Sequence, residues 1–178
     1  MMKLFTKAES HYMIYEIAHI AAVNMVAALC HAWKPKYLIH DIEKPFMTFL
    51  FHDAKKASKW HRQHNRHHIE YKGKHDYEAM CIDWESARYT KAFSQLDCTQ
   101  TIAWYILSND LRTIEVLSGG ICGDLVDPTD KTKYAFQMSM LGHWPIVKAA
   151  KKLGLWNKKE FQESMLKGKD YLDKIKNI

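Results

Sequence analysis

The sequence predicts an all-α protein, folded as a compact helical bundle. Glycine and proline are scarce, with 7 and 4 residues in a chain of 178, so long segments contain no helix-breaking residue. Strict alternation of apolar and polar residues, the pattern of a half-buried strand, is rare. Apolar residues make up 47% of the chain, an ordinary value for a globular protein. The length is that of a single domain, so we expect one domain over residues 1–178.

Start signals divide the N-terminal half into helical segments. Thr6 and Glu9 have the spacing of a capping box. Pro35 follows the first segment, and Pro45 suits the first turn of another. Asp76 is a typical N-cap. The predicted helices are 7–33, 37–44, 45–71 and 77–95.

The C-terminal half predicts four more helices, 97–117, 131–141, 143–153 and 158–176. Asn157 and Glu160 resemble a capping box for the last of them. Between them lies "SGGICGDLVDPTD", which has three glycines but no phosphate-binding pattern. We interpret it as an interhelical loop, with a phosphate cradle as the alternative.

Composition restricts the partners and the compartment. The formal net charge of +6 favours anionic partners such as nucleotides, but no recognition motif favours direct nucleic-acid binding. None of the four cysteines forms a C-x-x-C pair, which argues against a zinc knuckle. No signal peptide is visible, so we expect a cytoplasmic protein with reduced thiols. The apolar segment 17–30 is too short to span a bilayer, and we expect no membrane partner.

Histidines are concentrated in the stretch "WHRQHNRHH", residues 60–68. On a continuous helix, at about 100° per residue, His61, His64, Asn65 and His68 share one face, and His67 lies to the side. That face continues an apolar stripe, while both arginines of the stretch fall away from it. A solvated basic face is the alternative interpretation. The separation of the arginines from the histidines favours metal ligands.

A second informative stretch is "YLIHDIEKPF", residues 37–46. The adjacent His40 and Asp41 can ligate one divalent cation of Mn, Fe, Co, Ni or Zn. On a helix, Lys44 would lie one turn after His40 and could reach a phosphate oxygen near that cation.

These residues resemble the HD-domain superfamily of metal-dependent phosphohydrolases, whose signature is His, then His-Asp, then Asp on a helical bundle. The segment "LIHDIEK" is similar to the usual "LLHDIGK" of that superfamily. The resemblance implies that His19 in "HIAAV" and Asp83 in "CIDW" complete the ligand set. Without it, a lone histidine on the apolar face of the first helix would be interpreted as a core residue.

The chain also resembles a family of small phage and bacterial proteins with four ordered motifs, represented here by "HIAAV", "HDIEK", "HRQHNRHHIEY" and "CIDW". The match covers about residues 15–92. It includes His61, Asn65, His67 and His68, whereas His64 is not part of the family pattern. The family usually continues directly into Phe after the Lys, and here Pro45 intervenes. This resemblance implies no activity, so the expected reaction depends on the HD-like residues.

A competing His-Asp pair exists at His52 and Asp53. If the third helix is continuous, His52 lies opposite the histidine face, which favours His40 and Asp41. A break between residues 45 and 55 would reopen the choice.

The expected function is hydrolysis of a nucleotide or another small phosphoester by metal-activated water. One ion is expected on His19, His40, Asp41 and Asp83. His61, His64 and His68 complete that site or form a second one. The remaining assignments are catalytic: Lys44 and Arg88, with Lys91 as a further candidate, offset phosphoryl charge, and Asn65 or His67 orients the substrate or protonates the leaving oxygen.

Two other functions stay open. A di-iron oxygenase can use a similar His and carboxylate set, and a phage protein could sequester a nucleotide or block a host partner in the host cytoplasm without turnover. We expect residues 1–95 to form the metal-binding core. Residues 96–178 are expected to form a helical extension that supplies a pocket wall or the interface of a homo-oligomer.

Overall fold

The computed structural model of the chain describes residues 7–91, 96–108, 110–121 and 130–176. This part of the chain is all-α, as predicted, with nine α-helices, one short 3-10 helix and no strand. The 3-10 helix is Pro35–Tyr37, and the α-helices are α1 (Lys7–Leu29), α2 (Glu43–Phe51), α3 (Ala54–His64), α4 (Tyr77–Thr90), α5 (Cys98–Leu107), α6 (Leu111–Ser118), α7 (Lys131–Leu141), α8 (Pro145–Lys152) and α9 (Lys158–Lys176).

Helix α4 is the centre of the bundle. Its residues 79–86 are all buried, because α4 packs against α1, α5 and α8. The hydrophobic core therefore joins both halves of the chain, from Val23 in α1 to Phe161 in α9. The expected division of the chain into a metal-binding core, residues 1–95, and a helical extension, residues 96–178, stays a prediction. Because α4 carries Asp83, the site is built on the helix at the centre of the bundle.

The predicted continuous helix over 45–71 is wrong. His52 has a φ of 48°, and this left-handed backbone ends α2. Asp53 then begins α3, since its side chain accepts hydrogen bonds from the backbone amides of Lys55 and Lys56. Helix α3 ends at His64 because Asn65 is extended, with φ −103° and ψ 130°.

The predicted helix over 37–44 is also wrong. After the 3-10 helix the chain continues in turns to Ile42, and Asp41 has a left-handed backbone with a φ of 59°. Lys44 is therefore not placed by a helix that runs through His40. The first helix is shorter than its predicted 7–33, since it ends at Leu29 ahead of His31, whose φ is 51°.

The C-terminal helices agree better with prediction, except that the predicted 97–117 is two helices. Asp97 makes a capping box with Gln100 at the start of α5, and Asp110 caps α6. The side-chain oxygen of Asn157 accepts a hydrogen bond from the backbone amide of Glu160, as expected of an N-cap. Gly168 kinks α9. The predicted helix over 77–95 is too long, since α4 ends at Thr90 and Lys91 is extended, with φ −93° and ψ 118°. The Thr6 cap and most of the glycine-containing loop lie outside the described residues.

Helix α1 is apolar on two sides. By length and composition alone, Ser10–Leu29 could cross a membrane, and a third of that window is buried in the bundle. Its inward side carries Glu16 and His19, both buried, which contact groups on α2 and α4. The inward side is therefore part of the site. The expectation that the apolar segment is too short to span a bilayer does not hold for the observed helix, because the apolar stretch begins at Ser10 and is 20 residues long.

Candidate metal centre

Four buried residues from three parts of the fold form a first potential ligand group: His19 on α1, His40 and Asp41 in the turns before α2, and Asp83 on α4. Their ligand atoms all lie within 4.8 Å of one another. His19 Nε2 lies 2.8 Å from Asp83 Oδ1. His40 Nε2 lies 3.4 Å from the same oxygen and 3.3 Å from Asp41 Oδ1. The group predicted for one cation is thus assembled in space.

A second group comprises Asp41, His61, His67 and His68, again within 4.8 Å. His61 Nε2 lies 3.0 Å from Asp41 Oδ1 and 2.7 Å from His68 Nε2. His67 Nε2 lies 3.2 Å from Asp41 Oδ1. Helix α3 ends before His67, so the His67 side chain turns into the cluster. The prediction that His67 lies to the side of a continuous helix is therefore wrong.

Asp41 belongs to both groups, so its carboxylate joins two potential ion sites. Its Oδ1 atom and the Nε2 atoms of His40 and His67 are buried and make no hydrogen bond within the described part of the chain. The His40 and His67 nitrogens nevertheless lie 3.3 and 3.2 Å from Asp41 Oδ1. Buried polar atoms without partners are costly, and a cation between them would satisfy all three. The residues present therefore fit a divalent metal ion held by imidazole and carboxylate ligands.

The backbone at Asp41 supports a functional interpretation. A left-handed φ is uncommon outside glycine, although Asp and Asn tolerate it best. Such conformations persist where the surrounding structure holds them, often at functional sites. Here the turn places Asp41 and His40 side by side, facing α3 and α4.

Glu43 orients His61. Its Oε1 accepts hydrogen bonds from His61 Nδ1 and, at 2.5 Å, from Asn65 Nδ2. When Nδ1–H of neutral His61 donates its hydrogen bond to Glu43, the Nε2 lone pair points to the cluster. The same arrangement of carboxylate, histidine and metal is common in metalloproteins. Sequence reasoning missed Glu43, although it lies inside the "HDIEK" motif. Asn65, predicted to touch substrate, instead positions Glu43 and His61.

Lys44 is a buried counter-ion. Its Nζ lies 2.5 Å from Asp41 Oδ2 and 3.3 Å from Glu16 Oε2. Burial alone would lower the pKa of Lys44, but the charges of Asp41 and Glu16 outweigh it and raise that pKa. Lys44 therefore holds Asp41 in place. It also lines the cavity described below, and its contact with a phosphoryl oxygen stays a prediction. Glu16 was also missed; the available signal was an acid one turn before His19 on an apolar helix.

Ionisation of the cluster suits metal binding. Burial opposes the charged forms of Asp41 and Asp83, yet the close approach of neighbouring histidine nitrogens holds both pKa values below the ordinary range. Burial likewise opposes protonation of His61, but the nearby carboxylates of Asp41 and Glu43 raise its pKa. Burial lowers the pKa of His67 and, further, of His68. Both aspartates and two of the three histidines of the second group are thus ready to ligate at neutral pH.

Proton release on metal binding follows from these shifts. In the Asp83→Asn variant, where the second group remains, we expect uptake of one ion near pH 7 to release protons from His61 alone, and therefore no more than one. Because the His61 pKa is raised above 6.5, affinity should fall as pH drops through that raised value. Titration calorimetry in buffers of different ionisation enthalpy measures the number of protons released per ion bound. Release of three protons would contradict the assignment of His67 and His68 as neutral.

Two predicted residues lie away from the cluster. His64 is exposed, its ring stacks on Trp60 with centroids 4.3 Å apart, and its Nδ1 contacts the Trp60 carbonyl oxygen at 2.7 Å. The structure therefore does not bring His64 to either group, because α3 ends before the face could continue. Arg88 pairs with Glu85, with Nε 3.1 Å from Oε1, and lies over the Tyr89 ring.

The chain does break between residues 45 and 55, which reopens the choice between the two His-Asp pairs. The positions of the two pairs in the fold decide that choice. Asp53 is the N-cap of α3, and His52 is exposed. The cluster contains His40 and Asp41 instead.

His64→Ala should retain the full metal content and change the free energy of unfolding by no more than about 0.5 kcal/mol, as for other surface substitutions. Elemental analysis of the loaded variant and a urea titration test this. Loss of an ion would place His64 among the ligands after all.

A cavity of about 290 Å³ reaches the cluster at His19, His68 and Asp83. We call it the aromatic cavity, since its walls include Tyr12, Tyr15, Trp84, Trp104 and Tyr105. Lys44, Arg62 and Lys91 also line it. A separate cavity of about 380 Å³ reaches His40, Asp41 and His67 and is lined by Lys36 and Arg66 among others.

Comparison of the chain with protein-family models, with curated proteins and with solved structures gave no match.

Proposed function

We propose that this chain is a metal-dependent phosphohydrolase with an HD-like helical core, acting on a nucleotide or a similar small phosphoester. The observation that carries the proposal is the aromatic cavity, which brings cationic and aromatic side chains to the two ligand groups joined at Asp41. The resemblance of "LIHDIEK" to the HD signature supports the same reaction class.

The cavity suits a small anion that carries a flat ring. Its volume of about 290 Å³ is near the lower end for small-molecule sites, which favours a mononucleotide over a longer chain. Trp84 and Trp104 each lie close to Tyr105, with ring centroids 5.1 and 4.7 Å apart. Aromatic faces of this kind stack on nucleobases.

The roles of the residues follow from their positions. Bound divalent metal would polarise a phosphoryl oxygen and lower the pKa of water. Arg62 and Lys91 line the cavity beside the ligands, so we assign to them the stabilisation of phosphoryl charge. Lys44 keeps Asp41 oriented, and Glu43 keeps His61 oriented. Arg62 also pairs with Glu70. Arg88 pairs with Glu85 and is not among the residues that line the cavity, so we assign it no direct part.

A dinuclear oxygenase is the second candidate, favoured by one specific observation. Two His-rich groups that share a carboxylate also suit two iron ions that activate dioxygen. The two functions differ in the co-substrate, which makes them separable by experiment.

Turnover assays with matched variants test the proposal. Protein loaded with Mn, Co, Ni or Mg is screened with nucleoside mono-, di- and triphosphates and cyclic nucleotides, and phosphate or nucleoside release is measured. We expect hydrolysis that Asp41→Asn abolishes, that Arg62→Met weakens through a higher KM, and that His64→Ala leaves unchanged. Metal binding without cleavage would overturn the proposal. Oxygen consumption by the iron-loaded chain would then support the oxygenase, and tight nucleotide binding without turnover a sequestering protein.

A further inference from the structure

The outer face of α1 is apolar, exposed and free of formal charge. Ile14, Ile17, Met25 and Leu29 are 65, 64, 45 and 68% exposed, and Ala18, Ala21 and Ala28 are exposed between them. From Ser10 to Leu29 the only Asp, Glu, Lys or Arg is Glu16, which is buried on the opposite side. Monomeric proteins rarely expose a continuous apolar face of this length.

The spacing of the exposed residues is that of a helix-pairing seam. Ile14, Ala18, Ala21, Met25 and Ala28 follow one another at intervals of four, three, four and three residues. Apolar residues at this alternating spacing fit against a second helix as knobs into holes. Ile17 and Leu29 flank the seam. No residue in the described part of the chain covers these side chains, and their spacing suits a second helix of the same kind.

The seam is complementary to itself in the antiparallel sense. About a two-fold axis at Ala21, Ile14 of one copy faces Ala28 of the other, and Ile17 faces Met25. Large side chains then oppose small ones near both ends, and two alanines meet at the axis, which lets the helices approach closely. A two-fold contact of this kind uses the same patch on both subunits.

The area is of the right size for a dimer. The exposed apolar residues of the α1 face present on the order of 600 Å², against roughly 800 Å² per partner in a typical stable interface. Helix α2, which contacts α1, has exposed apolar residues of its own, Phe46 and Leu50.

The inward face of α1 argues against a membrane as the occupant. Insertion of α1 across a bilayer would separate His19 from Asp83 and Glu16 from Lys44, which are 2.8 and 3.3 Å apart in the fold. Ionisable side chains would then face hydrocarbon, which is expensive. A second copy covers the outer face and leaves the inner contacts intact.

We propose that the chain forms a two-fold symmetric homodimer through antiparallel packing of the outer faces of α1, centred on Ala21. The interface lies on the side of α1 opposite to the metal ligands, so dimerisation holds in place the helix that carries Glu16 and His19. The proposal does not depend on the phosphohydrolase function.

Light scattering and cross-linking of the full chain test the dimer. We expect twice the mass of one chain, and a shift to the single-chain mass in Ile14→Arg, with the dissociation constant raised at least about tenfold by the charge placed in the seam. Leu111→Arg is the matched control, since Leu111 is 73% exposed on α6, and it should remain dimeric.

A cysteine at the axis gives a second readout that does not depend on weakening the interface. In a background with Cys30→Ser and Cys122→Ser, Ala21→Cys should join two chains through a short bismaleimide, and Leu111→Cys should not. A wild-type chain that is monomeric at high concentration overturns the proposal, and so does a dimer that neither Ile14→Arg nor Ala21→Cys affects. Binding of a monomer to phosphatidylcholine vesicles would overturn it in favour of a membrane surface.

Discussion

Asp41→Asn should lose both metal ions, with affinity reduced by more than about 100-fold, because the Asp41 carboxylate is the one ligand common to both groups. Substitutions of mere outer-shell partners already cost about 10–100-fold. Asn is the appropriate replacement, since it tolerates the left-handed backbone at this position and removes only the charge. The measurement is elemental analysis of purified protein after loading with Mn and dialysis.

Asp53→Asn is the matched control, since it alters the other His-Asp pair of the same sequence. Asn remains a good N-cap for α3, so both stability and metal content should be retained. Full metal content in Asp41→Asn, or an equal loss in both variants, would contradict the assignment of Asp41.

Lys44→Met should destabilise the metal-free protein by about 3–5 kcal/mol, the cost of removing one partner of a buried ion pair. Glu16 is 1% exposed, and its Oε2 has no hydrogen-bond partner in the described chain and relies on the Lys44 ammonium. Met keeps most of the side-chain volume, so the effect is electrostatic. Urea denaturation measures the free energy of unfolding.

A second substitution shows whether Glu16 is the cause. Glu16→Gln in the Lys44→Met background should restore at least half of the lost stability, because the uncompensated charge is removed. Lys91→Met, on an exposed residue, should change stability by no more than about 0.5 kcal/mol. If Lys44→Met is as stable as wild type but loses only substrate affinity, Lys44 would be the phosphate ligand first expected from its position after His40.

The sequence was sufficient for the all-α fold and for the first ligand group. Scarce breakers and clear caps such as Asp76 predicted most helices, because these signals are local. The residues His19, His40, Asp41 and Asp83 follow an ordered motif, so resemblance could place them together. Their convergence depends on α1 and α4 packing side by side, which no local pattern shows.

The second group was predicted only in part, and the reason is the backbone between His52 and His67. A continuous helix puts His61, His64 and His68 on one face. The observed chain leaves the helix after His64, which turns His67 inward and leaves His64 outside. The left-handed backbones of Asp41 and His52 carry no glycine signal, so the turns that shape the site could not be recognised from residue types.

The supporting carboxylates were missed for a different reason. Glu16 and Glu43 act through contacts with Lys44 and His61, residues on other elements. Contacts of this kind are recognised from distances in the fold. In the sequence, Glu16 is only an acid in an apolar helix, and Glu43 is only an acid within the "HDIEK" motif.

Anomalous diffraction from crystals grown with Mn would show directly whether Asp41 joins two ion sites. We expect two peaks, one among His19, His40 and Asp83 and one among His61, His67 and His68, with the Asp41 carboxylate between them. Peaks confined to exposed histidines such as His52 and His64, with none beside Asp41, would contradict it.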